Sequence, residues 1–200
     1  MSFFKRILLV LMVVLAAYVF WPRSSSLTAF DPAAIAELQV KAWSQAGARQ
    51  WAGHAATTYR IFESQYRLPP VSALKAAIEV SRAAAILRSA ADAADRESAA
   101  KPLTSAYATL KARSRGQFDP AAVAAQEIQA VGLMLEGRTE SAAQAFAAQY
   151  ALLYGGTPGA YLPAARGFVR AGDDALAGDW TATGASLRKA WTELHAAAGN

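Results

Sequence analysis

The sequence predicts an all-α protein: an N-terminal transmembrane helix followed by a helical bundle of two pseudo-repeated units. Three observations lead there. From Asp31 onward the chain is rich in Ala, Leu, Glu, Gln, Lys and Arg, residues that enter a helix at little cost. Runs of alternating β-branched residues, the mark of a half-buried strand, are missing. And "FDPAAIAELQ" at Phe30 returns as "FDPAAVAAQE" at Phe118, 88 positions later.

The first element is "MSFFKRILLVLMVVLAAYVFWPRSSS". Lys5 and Arg6 precede an uncharged run of 15 residues, Ile7 to Trp21. At about 1.5 Å per residue such a helix is about 22 Å long. The hydrocarbon core is about 30 Å thick. Phe3 and Phe4 lengthen the run when Lys5 and Arg6 snorkel to the headgroups, and Tyr18 and Trp21 fall where an interfacial aromatic belt belongs. A cleaved signal peptide is the rival. Cutting after Ala17 places Leu15 where a small residue is wanted, and later cuts meet Tyr18, Phe20 and Trp21. The expectation is an uncleaved anchor over residues 1–23, flanked by Lys5, Arg6, Tyr18 and Trp21. The basic side stays cytoplasmic, which makes a single-pass inner-membrane protein with its C-terminal body periplasmic or otherwise extracytoplasmic. Residues 24–29 read as a tether.

The body divides into a first helical unit, 30–117, and a second, 118–200, packed together as one domain. Asp31-Pro32 and Asp119-Pro120 are matching helix starts: Asp accepts from free backbone N–H groups, and Pro fits the first turn because its missing N–H is not needed there. Phe30 and Phe118 precede each cap, where an apolar side chain staples onto the first turn. At the same offset Gln39 meets Glu127, and "PVSALKAAIEVSRA" from Pro70 meets "PGAYLPAARGFVRA" from Pro158. "LTSAYATLKA" from Leu103 resembles "LRKAWTELHA" from Leu187, with the offset now 84. Joints are expected near Pro69-Pro70, "AADAADRES", "EGRTE", "YGGTPG" and "AGDD". Ile35, Leu38, Ala42 and Trp43, and in the second unit Val123, Ile128, Val131 and Met134/Leu135, recur at helical spacing as faces that each unit buries against the other. Gly47, Gly53, Gly132 and Gly137 weaken helix interiors and mark breaks or close crossings, and Arg82 and Arg170 suit ion pairs at helix crossings. An alternative is a tetratricopeptide-like α-solenoid, since Gly137 and Gly172 lie 35 residues apart, near that family's period of about 34. The full signature is not present.

The residues "FDPAA…W" from Phe30, "YRLPPVSALKAAIEVSRAA" from Tyr66 and the second "FDP" resemble an uncharacterised group of bacterial membrane-anchored helical proteins. The resemblance covers much of Phe30–Tyr154. Gln39 stands where a Glu is expected, and Ala at several expected aromatic positions. The resemblance implies no activity, cofactor or partner.

Composition narrows the function. The chain is 54% hydrophobic and 18% charged, enough for a packed core. Of 20 Lys and Arg, three (Lys5, Arg6, Arg23) flank the anchor, and the remaining 17 face 15 acids, a net of +2. That is too even for a nucleic-acid binder, so none is expected. "KARSR" at Lys111 sits where cations complement a helix C-terminus. Without cysteine there are no disulfides, thiolate nucleophiles or Cys-ligated metals. A di-iron carboxylate site needs two Glu-x-x-His pairs, and neither His54 nor His195 has Glu three residues before it. No nucleophile elbow or Walker loop is present. Asp173-Asp174 reads as a helix opening. No cofactor, metal or catalytic set is expected.

One cluster invites a binding role. Trp43, Trp51, Tyr59, Arg60, Tyr66 and Arg67 lie close in sequence, and aromatics with arginines suit a groove for a partner or ligand. The more ordinary role of such aromatics is core packing. The expected function is a membrane-anchored extracytoplasmic helical interaction or scaffold protein, held to the membrane by its N-terminal helix and binding a protein partner. The alternatives are a small-ligand binder or enzyme with a pocket between the two units, and a structural subunit of a membrane complex.

Overall fold

The computed structural model describes Met12, residues 25–114 and residues 116–199. Among these the secondary structure is helical throughout. The elements are α1 (Pro32–Gly47), α2 (Trp51–Arg60, continued by a π-helical turn, Ile61–Gln65), α3 (Pro70–Ser89), α4 (Ala93–Glu97), α5 (Ala100–Ser114), α6 (Pro120–Leu135), α7 (Thr139–Tyr154), α8 (Pro158–Leu176) and α9 (Trp180–Ala198). The predicted anchor over 1–23, with Lys5, Arg6, Tyr18 and Trp21, lies outside the described residues except for Met12. Among the described residues no helix is long and apolar enough to cross a membrane.

Each long helix packs on the next, in the order α1, α2, α3, α5, α6, α7, α8, α9, and α9 returns to pack on α1. The links 48–50, 66–69, 136–138, 155–157 and 177–179 are short, so consecutive helices run antiparallel and close into a cycle. An open solenoid keeps its first and last helices apart. Alternation gives the molecule two ends. The far end carries the links after α1, α3, α6 and α8. There Arg88 Nη2 reaches the Gly47 carbonyl at 3.5 Å and Arg96 bonds Glu136 at 2.7 Å. The near end carries the remaining links and the point where the chain joins the body. There the Ser25 hydroxyl donates to the Arg67 carbonyl at 3.2 Å, and Arg113 Nε donates to Ser72 at 3.0 Å.

The 88-residue offset recurs in the backbone. Helices begin at 32 and 120, at 51 and 139, and at 70 and 158. The caps match: Asp31 has φ −87° and ψ 116°, Asp119 φ −87° and ψ 115°. Both carboxylates accept from the first turn. Arg49 (φ 58°) corresponds to Gly137 (φ 70°), and Arg67 (φ 54°) to Gly155 (φ 86°). The left-handed bends thus recur in place, with glycine in the second half and arginine in the first. Phe30 and Phe118 are buried behind their caps.

Alanine lets the helices close in. Ala73, Ala76, Ala77, Ala142, Ala143, Ala164, Ala165 and Ala171 are all buried. At the α8–α9 crossing Gly167 goes further: a Cβ there would come 2.9 Å from Ala190 Cβ. Gly47 ends α1 and Gly137 turns the link after α6, while Gly53 and Gly132 lie inside helices where Gln45 and Arg96 approach them closely. Several other expectations are corrected. Asp173 and Asp174 sit in the last turns of α8, where Asp174 accepts from Ser186 at 2.8 Å. Asp179 caps α9 instead, so the joint falls at "LAGDW", because Gly172 is consumed in making room for Met134 on α6. Arg82 pairs with Glu79 one turn earlier on its own helix at 3.6 Å rather than across a crossing, and Arg170 is exposed. Leu135, expected on a buried face, is 45% exposed at the end of α6.

Candidate functional site

The six residues singled out as a groove do not share one surface. Tyr66 is in the core, against Phe30 and Phe62. Trp43 and Tyr59 are half-buried against the same core. Trp51 lies edge-on to His54 at 6.1 Å. Arg60 and Arg67 are exposed. Helical spacing is the reason. Positions 59, 62 and 66 follow one inward face, while 60 and 67 project from the other side of the same chain segment.

The polar centre of the molecule lies where the halves meet, and it comes in two versions. Between α9 and α1, the Trp191 indole N–H donates to Gln39 Oε1 at 2.5 Å, and Phe30 stands edge-on to Trp191 at 5.1 Å. Between α5 and α6, the corresponding places hold Tyr107 and Glu127. The Tyr107 hydroxyl donates to Glu127 Oε2 at 2.6 Å, and Phe118 stands edge-on to Tyr107 at 6.4 Å. Gln149 of α7 joins this second version: its Nε2 donates to the Tyr107 hydroxyl at 2.7 Å and lies 3.4 Å from Glu127 Oε2. Its Oε1 is buried without a partner among the described residues.

Burial pushes the Glu127 carboxyl above its ordinary value, and the hydrogen bonds from Tyr107 and Gln149 oppose the rise. Burial, then the nearby carboxylate, pushes Tyr107 well above its usual range. Burial pushes Tyr66 up to about 12, and it pushes Tyr154, the equivalent residue by the 88-residue offset, well above its usual range. Tyr107, Glu127, Tyr150 and Tyr154 are each half-buried. The cluster can hold a proton on Glu127 and offer phenol hydroxyls to a small polar group. Sequence reasoning noted the Gln39–Glu127 correspondence but found no partner for either residue, since Trp191 lies 152 positions from Gln39.

A serine–histidine contact also escaped the sequence. His54 Nδ1 lies 2.8 Å from Ser81 Oγ, between α2 and α3. Both residues are buried, and burial lowers the His54 pKa, so the ring is neutral at pH 7. Buried between two helices, the pair satisfies two polar side chains. Among the described residues, no group of three or more metal-ligating side chains is gathered.

The outer surface carries apolar side chains at both ends. At the far end Leu135, Leu176 (56% exposed) and Trp180 (37% exposed) face solvent, with the Trp180 ring beside Gly47. At the near end Val71, Leu74 and Ile78 are exposed on one side of α3. No protein-family model matches this chain, and no curated protein or solved structure does either.

Proposed function

We propose that this protein is a membrane-anchored, extracytoplasmic helical module that binds a protein partner at the cell envelope. The observation that carries this is the set of exposed apolar side chains at the far end, Leu135, Leu176 and Trp180, opposite the end where the chain joins the body. An anchor over 1–23 holds the near end toward the membrane and turns the far end outward. Large apolar groups there, Trp above all, are the kind that anchor protein interfaces. The matched caps, bends and helix starts support an internal duplication of one helical unit, with the closed cycle covering the apolar faces of both copies. The test is affinity capture of the full chain from detergent-solubilised envelope, run beside the Trp180→Glu variant. A protein retained by the native chain and lost with the variant is expected; equal capture by both overturns the far-end site.

A second reading is favoured by the enclosed Glu127: a small-ligand site between the halves. Its test is thermal stabilisation by small polar or cationic compounds, compared between the native chain and Glu127→Gln. Ligands that stabilise only the native chain support it, and the absence of any difference removes it.

A further inference from the structure

On α3, Val71, Leu74, Lys75, Ile78 and Arg82 fall at intervals of three, one, three and four, which places them on one stripe of the helix. Val71 is 59% exposed, Leu74 52% and Ile78 44%. Lys75 and Arg82 are exposed as well. The opposite side, with Ala73, Ala76, Ala77 and Ala83, is buried in the body. The stripe is therefore an unpartnered amphipathic face, apolar with cations among the aliphatic groups. Glu79, the acid on the same helix, pairs with Arg82.

The fold does not require this face. Its counterparts on α8, at the same offset, are Gly159, Leu162, Pro163, Arg166 and Arg170. Leu162 is half-buried, and Arg166 is bonded to Glu140 at 2.7 Å. Of these two equivalent helices only α3 carries an exposed apolar stripe, and it lies in the half that the N-terminal segment joins. Ser25 is bonded to Arg67, and α3 begins three residues later at Pro70. Only residues 22–24 separate Ser25 from Trp21. At about 3.3–3.6 Å per extended residue, Ser25 lies within about 14 Å of a Trp21 seated at the bilayer interface. The first turns of α3 cannot leave the neighbourhood of the membrane.

We infer that the Val71–Leu74–Ile78 face of α3 rests on the bilayer, its aliphatic side chains in the headgroup region, with Lys75, Arg82 and the neighbouring Arg67 on anionic phosphates, an inference that rests on the membrane-anchored reading proposed above. A basic, apolar helix face lying in the interface enters about 5–10 Å, enough to cover side chains of this length. The tether alone would leave the body free to turn. A second contact on α3 fixes its orientation and holds the far end outward.

The absence of cysteine permits a direct test on the full chain. Val71→Cys, Leu74→Cys, Ile78→Cys and, at the far end, Leu176→Cys are each labelled with an environment-sensitive fluorophore. The labelled chains are reconstituted into phosphatidylcholine–phosphatidylglycerol vesicles. Expected are blue-shifted emission at 71, 74 and 78, and quenching by lipid-attached nitroxide several-fold stronger than at 176. Lys75→Glu with Arg82→Glu is expected to weaken that quenching. If the chain floats with the vesicles while all four labels report water, the α3 contact is overturned and the anchor stands. If 71, 74 and 78 are shielded from water but not quenched by lipid, the face belongs to protein, whether a second copy or residues 7–21, and the inference is overturned. If the chain does not float, the anchor itself fails and the α3 contact falls with it.

Discussion

Where α9 closes onto α1, an indole meets a neutral amide; where α5 runs on into α6, a phenol meets a carboxylate. The two seams occupy equivalent places in the two halves, each with a phenylalanine edge-on to the aromatic donor. What differs is charge. The α9–α1 seam joins the first and last of the long helices among the described residues, far apart in sequence, through side-chain contacts. It uses Trp191, which also packs on Phe168 at 5.1 Å, and Gln39, whose burial carries no ionisation penalty. The α5–α6 seam is also held by the chain itself. It accommodates Glu127, a group that burial disfavours in its charged form. The same backbone thus tolerates a polar residue at the centre on either side, but an ionisable one stands only where covalent continuity already keeps the helices together.

The largest effect expected of this comparison is at the closing seam. Trp191→Ala removes the ring that Phe30 and Phe168 pack against and leaves the Gln39 amide unpaired. A loss of about 3–5 kcal/mol is expected in urea unfolding of the reconstituted chain. An effect no larger than that of a surface substitution would mean the cycle does not depend on this seam.

Next is the charged seam. Glu127→Ala leaves the Tyr107 hydroxyl without its acceptor and removes the longer contact of the Gln149 amide, and is expected to cost about 1–3 kcal/mol. Glu127→Gln tests the ionisation. The folded-state value is raised above 4.5, so from that pH upward the unfolded chain gives up its proton while the folded chain still holds one. Stability therefore falls as pH rises through this window and levels off once the folded carboxyl ionises too. Glu127→Gln is expected to abolish that fall and to match or exceed the native chain above the window. Unfolding curves collected from acid to neutral pH decide it.

The caps give a finer comparison. Asp31 accepts from two backbone N–H groups and Asp119 from one. Replacing either by Ala costs about 0.5–2 kcal/mol, with Asp31→Ala the larger. The thermal midpoints of the two variants should differ in that order. Smallest is Arg49→Gly, which places in the first half the residue its counterpart already has. Relief of a left-handed arginine, worth about 1–2 kcal/mol, is partly offset by the added freedom of glycine in the unfolded chain, about 0.5–1 kcal/mol. A gain of under about 1 kcal/mol is expected.

Much of the fold was legible because its signals are local. An aspartate before a proline caps whatever helix follows, so α1 and α6 could be placed from "FDP" alone. Gly137 and Gly155 marked turns for the same reason. Local signals also misled. "AGDD" has the residues of a helix start, but the Gly172 in it serves a neighbouring helix and the true cap is Asp179. Of the cluster between Trp43 and Tyr66, Tyr66 took the ordinary core role, Trp43 and Tyr59 pack half-buried against that core, and Arg60 and Arg67 turn to solvent. Arg49 and Arg67 gave no local sign of left-handed backbone. Only their register with two glycines points to it.

The sequence by itself determined the helical class, the capped starts, the doubled pattern and the apolar N-terminal run. Each depends on neighbours within a few residues, or on comparing one stretch with another. Only the tertiary structure decided that α9 returns to α1, that Glu127 meets Tyr107 while Gln39 meets Trp191, and that Val71, Leu74 and Ile78 stay uncovered. Those outcomes depend on which helix faces come together, and an amphipathic helix specifies that it must bury a face without specifying against what.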